Sequence, residues 1–122
     1  MNGSYFCDTY ALFEIIRNNP NYVKYANAVL QTSLFNLVEL YYGLLADLDA
    51  EKAQMIYLKF KDTVVEVTDE TIWSAMAFRH AHKKKKYSYV DAIGYICAKT
   101  MGITFLTGDK GFIGMPNVEF AK

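Results

Sequence analysis

The sequence predicts an α/β fold, a three-layer sandwich with a mainly parallel central sheet flanked by helices. Three observations predict it. Short apolar runs that suit strands alternate with longer amphipathic stretches that suit helices. The strand-like runs carry few internal polar residues, as strands buried on both faces do. The only two prolines, Pro20 and Pro116, fall between those segments, where connections are expected. At 122 residues the chain forms one domain, residues 1–122, and its 52% hydrophobic content can fill a sizeable core.

Residues 4–7 read as the first strand, since Tyr5, Phe6 and Cys7 are nearly continuously apolar. Asp8-Thr9 then caps a helix over residues 10–17, which Asn18-Asn19-Pro20-Asn21 stops. Residues 22–27 carry no decisive pattern, and 28–32 look like a second strand. Leu34, Leu37, Val38, Tyr41, Leu44, Leu45 and Leu48 recur at three- and four-residue steps, which predicts an amphipathic helix with Glu39 in its first half. Ala53, Ile56, Tyr57 and Phe60 repeat the pattern in a second helix. The β-branched stretch 63–67 is a strand, and Thr68-Asp69 caps a helix carrying Ile72, Ala75 and Met76. A lysine run ends that helix. Ser88 opens the next, which runs to about Met101 and is apolar on most sides through Tyr89, Val90, Ile93, Ile96 and Cys97. Gly102 is a good stop. Residues 103–106 form a strand, Thr107-Gly108-Asp109 a turn, and 118–120 a last short strand.

Four acids stand where an apolar run gives way to a helix or turn: Asp8, Glu39, Asp91 and Asp109. In open α/β sheets that edge, beyond the carboxyl ends of the strands, is where ligands bind. Asp8 and Asp109 each follow a strand expected near the sheet centre. Carboxylates that meet raise one another's pKa unless a cation sits among them. An all-oxygen set of this kind suits Mg²⁺ or Mn²⁺ rather than zinc. Each acid also has a purely structural reading. Asp8 can cap a helix, Asn36-x-x-Glu39 and Ser88-x-x-Asp91 both match a capping box, and Asp109 sits in a Gly-Asp-Lys-Gly turn.

Taken together, these segments carry a family resemblance. FCDTYAL around Asp8, TSLFNLVELYYGL around Glu39, SYVDAIGYICAKTMGITFLTGD from Ser88 to Asp109 and the final PNVEF follow the order seen in PIN domains. More narrowly, the chain resembles the VapC-type ribonuclease toxins of toxin–antitoxin pairs. The resemblance implies a PIN-like sandwich and a metal-dependent endoribonuclease. It implies an acidic pocket of Asp8, Glu39, Asp91 and Asp109 holding Mg²⁺ or Mn²⁺, with the Thr107 hydroxyl in support. It also implies an RNA substrate, a VapB-like antitoxin partner and a homodimer. One position departs from the family, where many members have Asn two residues after the first Asp and this chain has Tyr10. Two other functions fit the same scaffold: a DNA or structure-specific nuclease, and a catalytically silent nucleic-acid-binding or scaffold module.

Outside the acids, Arg79, His80, His82 and the run Lys83, Lys84, Lys85 and Lys86 form a basic stretch ending in Tyr87. One reading is a solvated helix end, where bases suit the helix dipole. The other is an edge that grips RNA phosphates, with Tyr87 stacking on an unpaired base and Tyr89 packed in the core. His80 and His82, two residues apart, lie on different helix faces and read as surface residues. Cys7 and Cys97 sit in apolar runs without metal-ligand spacing and read as buried free thiols of a reducing compartment. Net charge is zero, with thirteen bases and thirteen acids. If four acids are metal ligands, nine remain against thirteen bases, and the outer surface is mildly basic. No apolar run is long enough to span a bilayer, and the stretch before Asp8 is too short for a secretory signal, so the expected location is cytoplasmic.

Overall fold

The structure, a computed structural model, describes residues 3–122. Within them five parallel strands form one sheet in the order β3-β2-β1-β4-β5, where β1 is Ser4–Cys7, β2 Val29–Ser33, β3 Val64–Val65, β4 Thr104–Thr107 and β5 Val118–Phe120. Every pairing is parallel, so the sheet is wholly rather than mainly parallel. The α-helices are α1 (Thr9–Ile16), α2 (Leu34–Leu44), α3 (Ala50–Lys61), α4 (Asp69–Ala81) and α5 (Tyr89–Met101). The undecided stretch after Pro20 is a 3₁₀ helix, Pro20–Tyr25, capped by Asn19. The hydroxyl of its Tyr22 donates to Ala121 O at 2.6 Å, which ties the tail of the chain to this turn.

Strand alternation sends neighbouring residues to opposite faces of the sheet. Cys7 and Leu106 pack on one face with Leu12 of α1, Leu37, Leu40 and Leu44 of α2, and Ala53 of α3. Phe6 and Phe105 pack on the other with Ala75 of α4, Ile93, Tyr95 and Cys97 of α5, and Phe112. Both cysteines are buried free thiols. Most helix starts follow the sequence signals: Asp8, Thr68 and Ser88 each cap with the side chain, and Gly102 ends α5 at φ 69°, a left-handed conformation that glycine adopts without strain.

Three details differ from the sequence expectation. Asn36 does not open a capping box with Glu39. Ser33, the last residue of β2, is the cap, and Asn36 is its buried N3 partner, with its N–H on Ser33 Oγ at 3.3 Å. The predicted stripe is not all core: Leu37 and Leu44 are buried, whereas Leu34, Val38 and Leu45 face outward. The two tyrosines around Ser88 exchange roles. Tyr89 is 63% exposed, and Tyr87 is 2% exposed. The residue before an N-cap can fold back onto the core, while the first helical residue after it faces away. No helix is long and apolar enough to cross a membrane among the described residues.

Candidate active site

The strand order reverses direction between β1 and β4. At such a switch point the adjoining loops part and leave a crevice beyond the strand ends. Asp8 directly follows β1, and Asp109 lies two residues beyond β4. The registers Cys7↔Leu106 and Phe6↔Phe105 bring those two ends side by side, and Asp8 N donates to Leu106 O at 3.2 Å. Asp91, in the first turn of α5, joins them. Asp8, Asp91 and Asp109 line one open cavity of about 430 Å³ with Thr9, Tyr10, Gly108, Lys110 and Lys122.

Asp8 is nearly fully buried, yet both of its carboxylate oxygens have partners. One accepts the N–H of Ala11 at 2.8 Å, and the other accepts a short hydrogen bond from the Thr107 hydroxyl. The same hydroxyl oxygen takes the Asp109 N–H at 3.0 Å, so Thr107 links the first acid to the last. Burial pushes the Asp8 pKa up to about 7. The bonds from Thr107 and Ala11 oppose that rise, and the charges of Asp91 and Asp109 add to it. Burial also raises Asp91, against the opposing hydrogen bonds from Ser88 and with the help of the Asp109 charge. The Asp109 charge thus bears on both of its neighbours.

Glu39 stands one layer back. It is not on the cavity wall; its carboxylate accepts the Thr9 hydroxyl at 2.7 Å, and Thr9 is on the wall. Behind it runs a chain of bonds the sequence did not announce. Asn36 donates its amide to Thr9 Oγ1 at 3.1 Å and takes the Ser33 hydroxyl at 2.6 Å. Asn36 is thus a buried polar residue with a positioning task, and a strand-ending Ser three residues before an Asn was its only signal. A buried amide reaches this end of the site from α2, whereas many family members carry one on α1, where this chain has Tyr10.

Three of the four expected carboxylates share one cavity, and Glu39 does not line it. Among the described residues no group of three acids, histidines or cysteines is drawn close enough to hold one metal by itself. Like charges repel, and each outer acid is turned toward donors of its own segment. Asp91 Oδ2 accepts the Ser88 N–H at 2.9 Å, completing a capping box, and Asp109 Oδ1 accepts the Gly111 N–H at 2.9 Å. In chemistry the set still suits a hard divalent cation. The donors are oxygens, and the raised Asp8 carboxyl is the kind of group a neighbouring cation returns to its charged form.

The basic stretch lies elsewhere. None of Lys83, Lys84, Lys85 or Lys86 is on the cavity wall. Lys83–Lys85 make a 3₁₀ turn, and Lys86 takes φ 58° to lead into the Ser88 cap. Tyr87 cannot offer its ring to a base. It is stacked on Phe112 at 4.3 Å and on Phe78 at 5.6 Å, and its hydroxyl donates to Gly111 O at 2.6 Å. The exposed ring is that of Tyr89, with the Arg79 guanidinium 4.5 Å above it. His82 is half-buried on Phe78, its Nδ1 3.0 Å from Phe78 O, and only His80 is a surface residue.

A PIN domain family model matches residues 5–117, nearly the whole chain. The chain belongs to the PIN domain family. Solved structures agree on the fold. This PIN domain is similar to a VapC toxin of Mycobacterium tuberculosis described as cleaving the sarcin-ricin loop, at 19% identity over 97% of this chain and 99% of that one, with a TM-score of 0.78. It is similar to VapBC2 of Rickettsia felis, solved on a DNA fragment from its promoter, at 18% identity over 98% and 99% with a TM-score of 0.76. It is also similar to a toxin–antitoxin complex from Klebsiella pneumoniae, at 19% identity over 94% and 95% with a TM-score of 0.73. No curated protein matches the sequence significantly. PIN domains are typically nucleases and generally use divalent metals.

Proposed function

We propose that this PIN domain is a Mg²⁺- or Mn²⁺-dependent endoribonuclease, the toxin of a toxin–antitoxin pair. The observation that carries the reading is the meeting of Asp8, Asp91 and Asp109 in one cavity at the sheet's switch point. Asp8 and Asp91 would be the direct metal ligands in this reading, Asp109 would complete the site, and Glu39 would support it from behind through Thr9. A divalent ion bound there supplies a water of lowered pKa and neutralises charge gathering on the phosphodiester. The remaining work falls to the chain's own residues. Thr107 holds one Asp8 oxygen and so fixes the carboxylate's orientation. Glu39 acts through Thr9, whose hydroxyl it holds on the cavity wall. The exposed run Lys83 to Lys86, with Arg79 and Tyr89, gives the RNA strand a second, basic contact area outside the cavity.

The partners follow the similar structures, two of which are toxin–antitoxin assemblies. Leu34, Val38, Tyr42 and Leu45 of α2, with Met55 and Leu58 of α3, expose large apolar side chains. That face offers the antitoxin and a second copy of the chain surface to bury.

The reading is tested by Asp8→Asn and Asp91→Asn. Each should cut Mn²⁺-dependent cleavage of single-stranded RNA by more than roughly 100-fold, beyond the loss usual for outer positions of a metal site. Circular dichroism should show the fold retained. Cleavage that persists in both variants refutes the assignment. Single-stranded DNA cut as fast as RNA would move the chain to the DNA nucleases, and no heat of Mn²⁺ binding would make it a silent module.

A further inference from the structure

Two lysines stand on the wall of the acidic cavity without an acidic partner. Lys110 follows Asp109 directly, and Lys122 arrives from the far end of the sheet. Lys122 is held in place. Ala121 N donates to Thr107 O at 2.9 Å, Tyr22 donates to Ala121 O, and the Asn21 amide donates to Lys122 O at 2.6 Å. Lys110 and Lys122 line the same cavity. Were they counter-ions to the acids, one would sit within 4 Å of a carboxylate. Among the described residues the only ion pair is Arg17 with Glu14, at 3.8 Å. Two cations on one cavity wall, neither bound to a carboxylate, can receive an anion from outside.

The third feature is Tyr10. Its ring crosses the Thr-Gly-Asp turn so closely that a Cβ on Gly108 would lie 2.0 Å from its Cε1, and it forms part of the same wall. An aromatic ring held firmly beside two cations and three acids has the makings of a nucleotide subsite. Phosphate suits the cations, and a base suits the ring.

We propose that Lys110 and Lys122 clamp one phosphate of a single-stranded RNA at the cavity mouth while Tyr10 stacks on the adjoining base. The proposal deepens the ribonuclease reading and rests on it. Bases in a duplex are already stacked on one another and cannot reach the ring, so the subsite selects unpaired RNA. It also separates substrate grip from metal binding: the lysines hold the strand, and the acids hold the ion.

The test is the affinity of a labelled oligouridine by fluorescence anisotropy across a salt series, with Ca²⁺ in place of Mn²⁺ and strand integrity checked on a gel. Lys110→Ala with Lys122→Ala should weaken binding and flatten the slope of log affinity against log salt. One lost phosphate contact removes about 0.7 from that slope on a single strand. Tyr10→Leu should weaken binding about tenfold at every salt, without changing the slope, and Tyr10→Phe should restore it. Tyr10 also touches the core, so a second arm leaves the protein unchanged and replaces each base of the strand in turn by an abasic position. One position should lose as much affinity as Tyr10→Leu does. An unchanged slope in the double lysine variant, or no sensitive abasic position, overturns the proposal. Failure of the nuclease reading looks different: the unchanged protein binds the strand with the expected slope, and Mn²⁺ brings no cleavage.

Discussion

On the face of the sheet covered by α1, α2 and α3, the site is wired across distant parts of the chain. On the face covered by α4 and α5, it rests on short local turns braced by stacked rings. Thr107 to Asp8 spans 99 residues, Thr9 to Glu39 spans 30, and Asn36 to Thr9 spans 27. The opposite face uses Ser88 to Asp91 and Asp109 to Gly111, bonds that close within three residues. Those turns sit on Phe78, Tyr87, Phe112 and Tyr95, whose rings lie 4.3–5.6 Å apart in successive stacked pairs. The contrast teaches that the acids have different kinds of tenure. Asp8 depends in part on Thr107 from the far end of the chain, and Glu39 on Thr9 of another helix. Asp91 and Asp109 owe theirs to local geometry plus an aromatic platform.

The sharpest way to break that contrast is Phe112→Ala. It removes the ring that Tyr87, Tyr95 and Phe105 all share, and should cost about 3–5 kcal/mol of stability, read as a lowered denaturant midpoint. A loss much smaller than that would show that the platform is not a support. Next comes the burial of Asp8. Its carboxyl pKa is raised to about 7 from an ordinary 3.8, so the folded metal-free protein binds the proton more tightly than the unfolded chain. Stability from this group is full below the unfolded pKa and is lost as pH climbs toward 7, with roughly 4 kcal/mol as the upper bound. Asp8→Asn should abolish that slope in denaturation of the metal-free protein, and Mn²⁺ should flatten it in the parent. A third comparison is Asn36→Ala, which cuts the buried chain behind Thr9 and Glu39. It should lower Mn²⁺ affinity or cleavage about 10–100-fold, while α2 keeps its Ser33 cap. The mildest is Ser88→Ala, which undoes half of one capping box and should cost about 1 kcal/mol. An effect of Ser88→Ala on cleavage as large as that of Asn36→Ala would erase the distinction between the two faces.

Much of this was legible in the sequence, for physical reasons. An apolar run followed at once by Asp announces a buried strand with an acid at its end, as at Asp8, and Asp109 follows its strand after a Thr-Gly turn. The strand–helix alternation was enough for a parallel sheet. What escaped was of two kinds. Tyr87 and Tyr89 straddle an N-cap, where helical periodicity does not yet apply, so apolar counting put the wrong ring inside. Asn36 matched a capping box by spacing, but the strand runs straight into α2, and that moves the cap to Ser33. Lys110 and Lys122 gave no signal either, because the place of Lys122 on the cavity wall depends on residues 121–122 being pinned by Asn21 and Tyr22. Glu39 was found as a residue, yet its place behind Thr9 rather than on the wall is a matter of one helical turn.

The central strand β1 precedes the other four in sequence, and this has a kinetic consequence. β1 lies between β2 and β4, so one of its two neighbours comes from near the opposite end of the chain. Closing that contact requires nearly the full length of polypeptide and carries the entropy of a long loop. A ribosome that has not yet released Thr104 to Thr107 holds a chain with Asp8 but no Thr107 beside it and no neighbouring turn to form the far wall of the pocket. The Thr107 link between Asp8 and Asp109 therefore arises only when the late strand β4 docks beside β1.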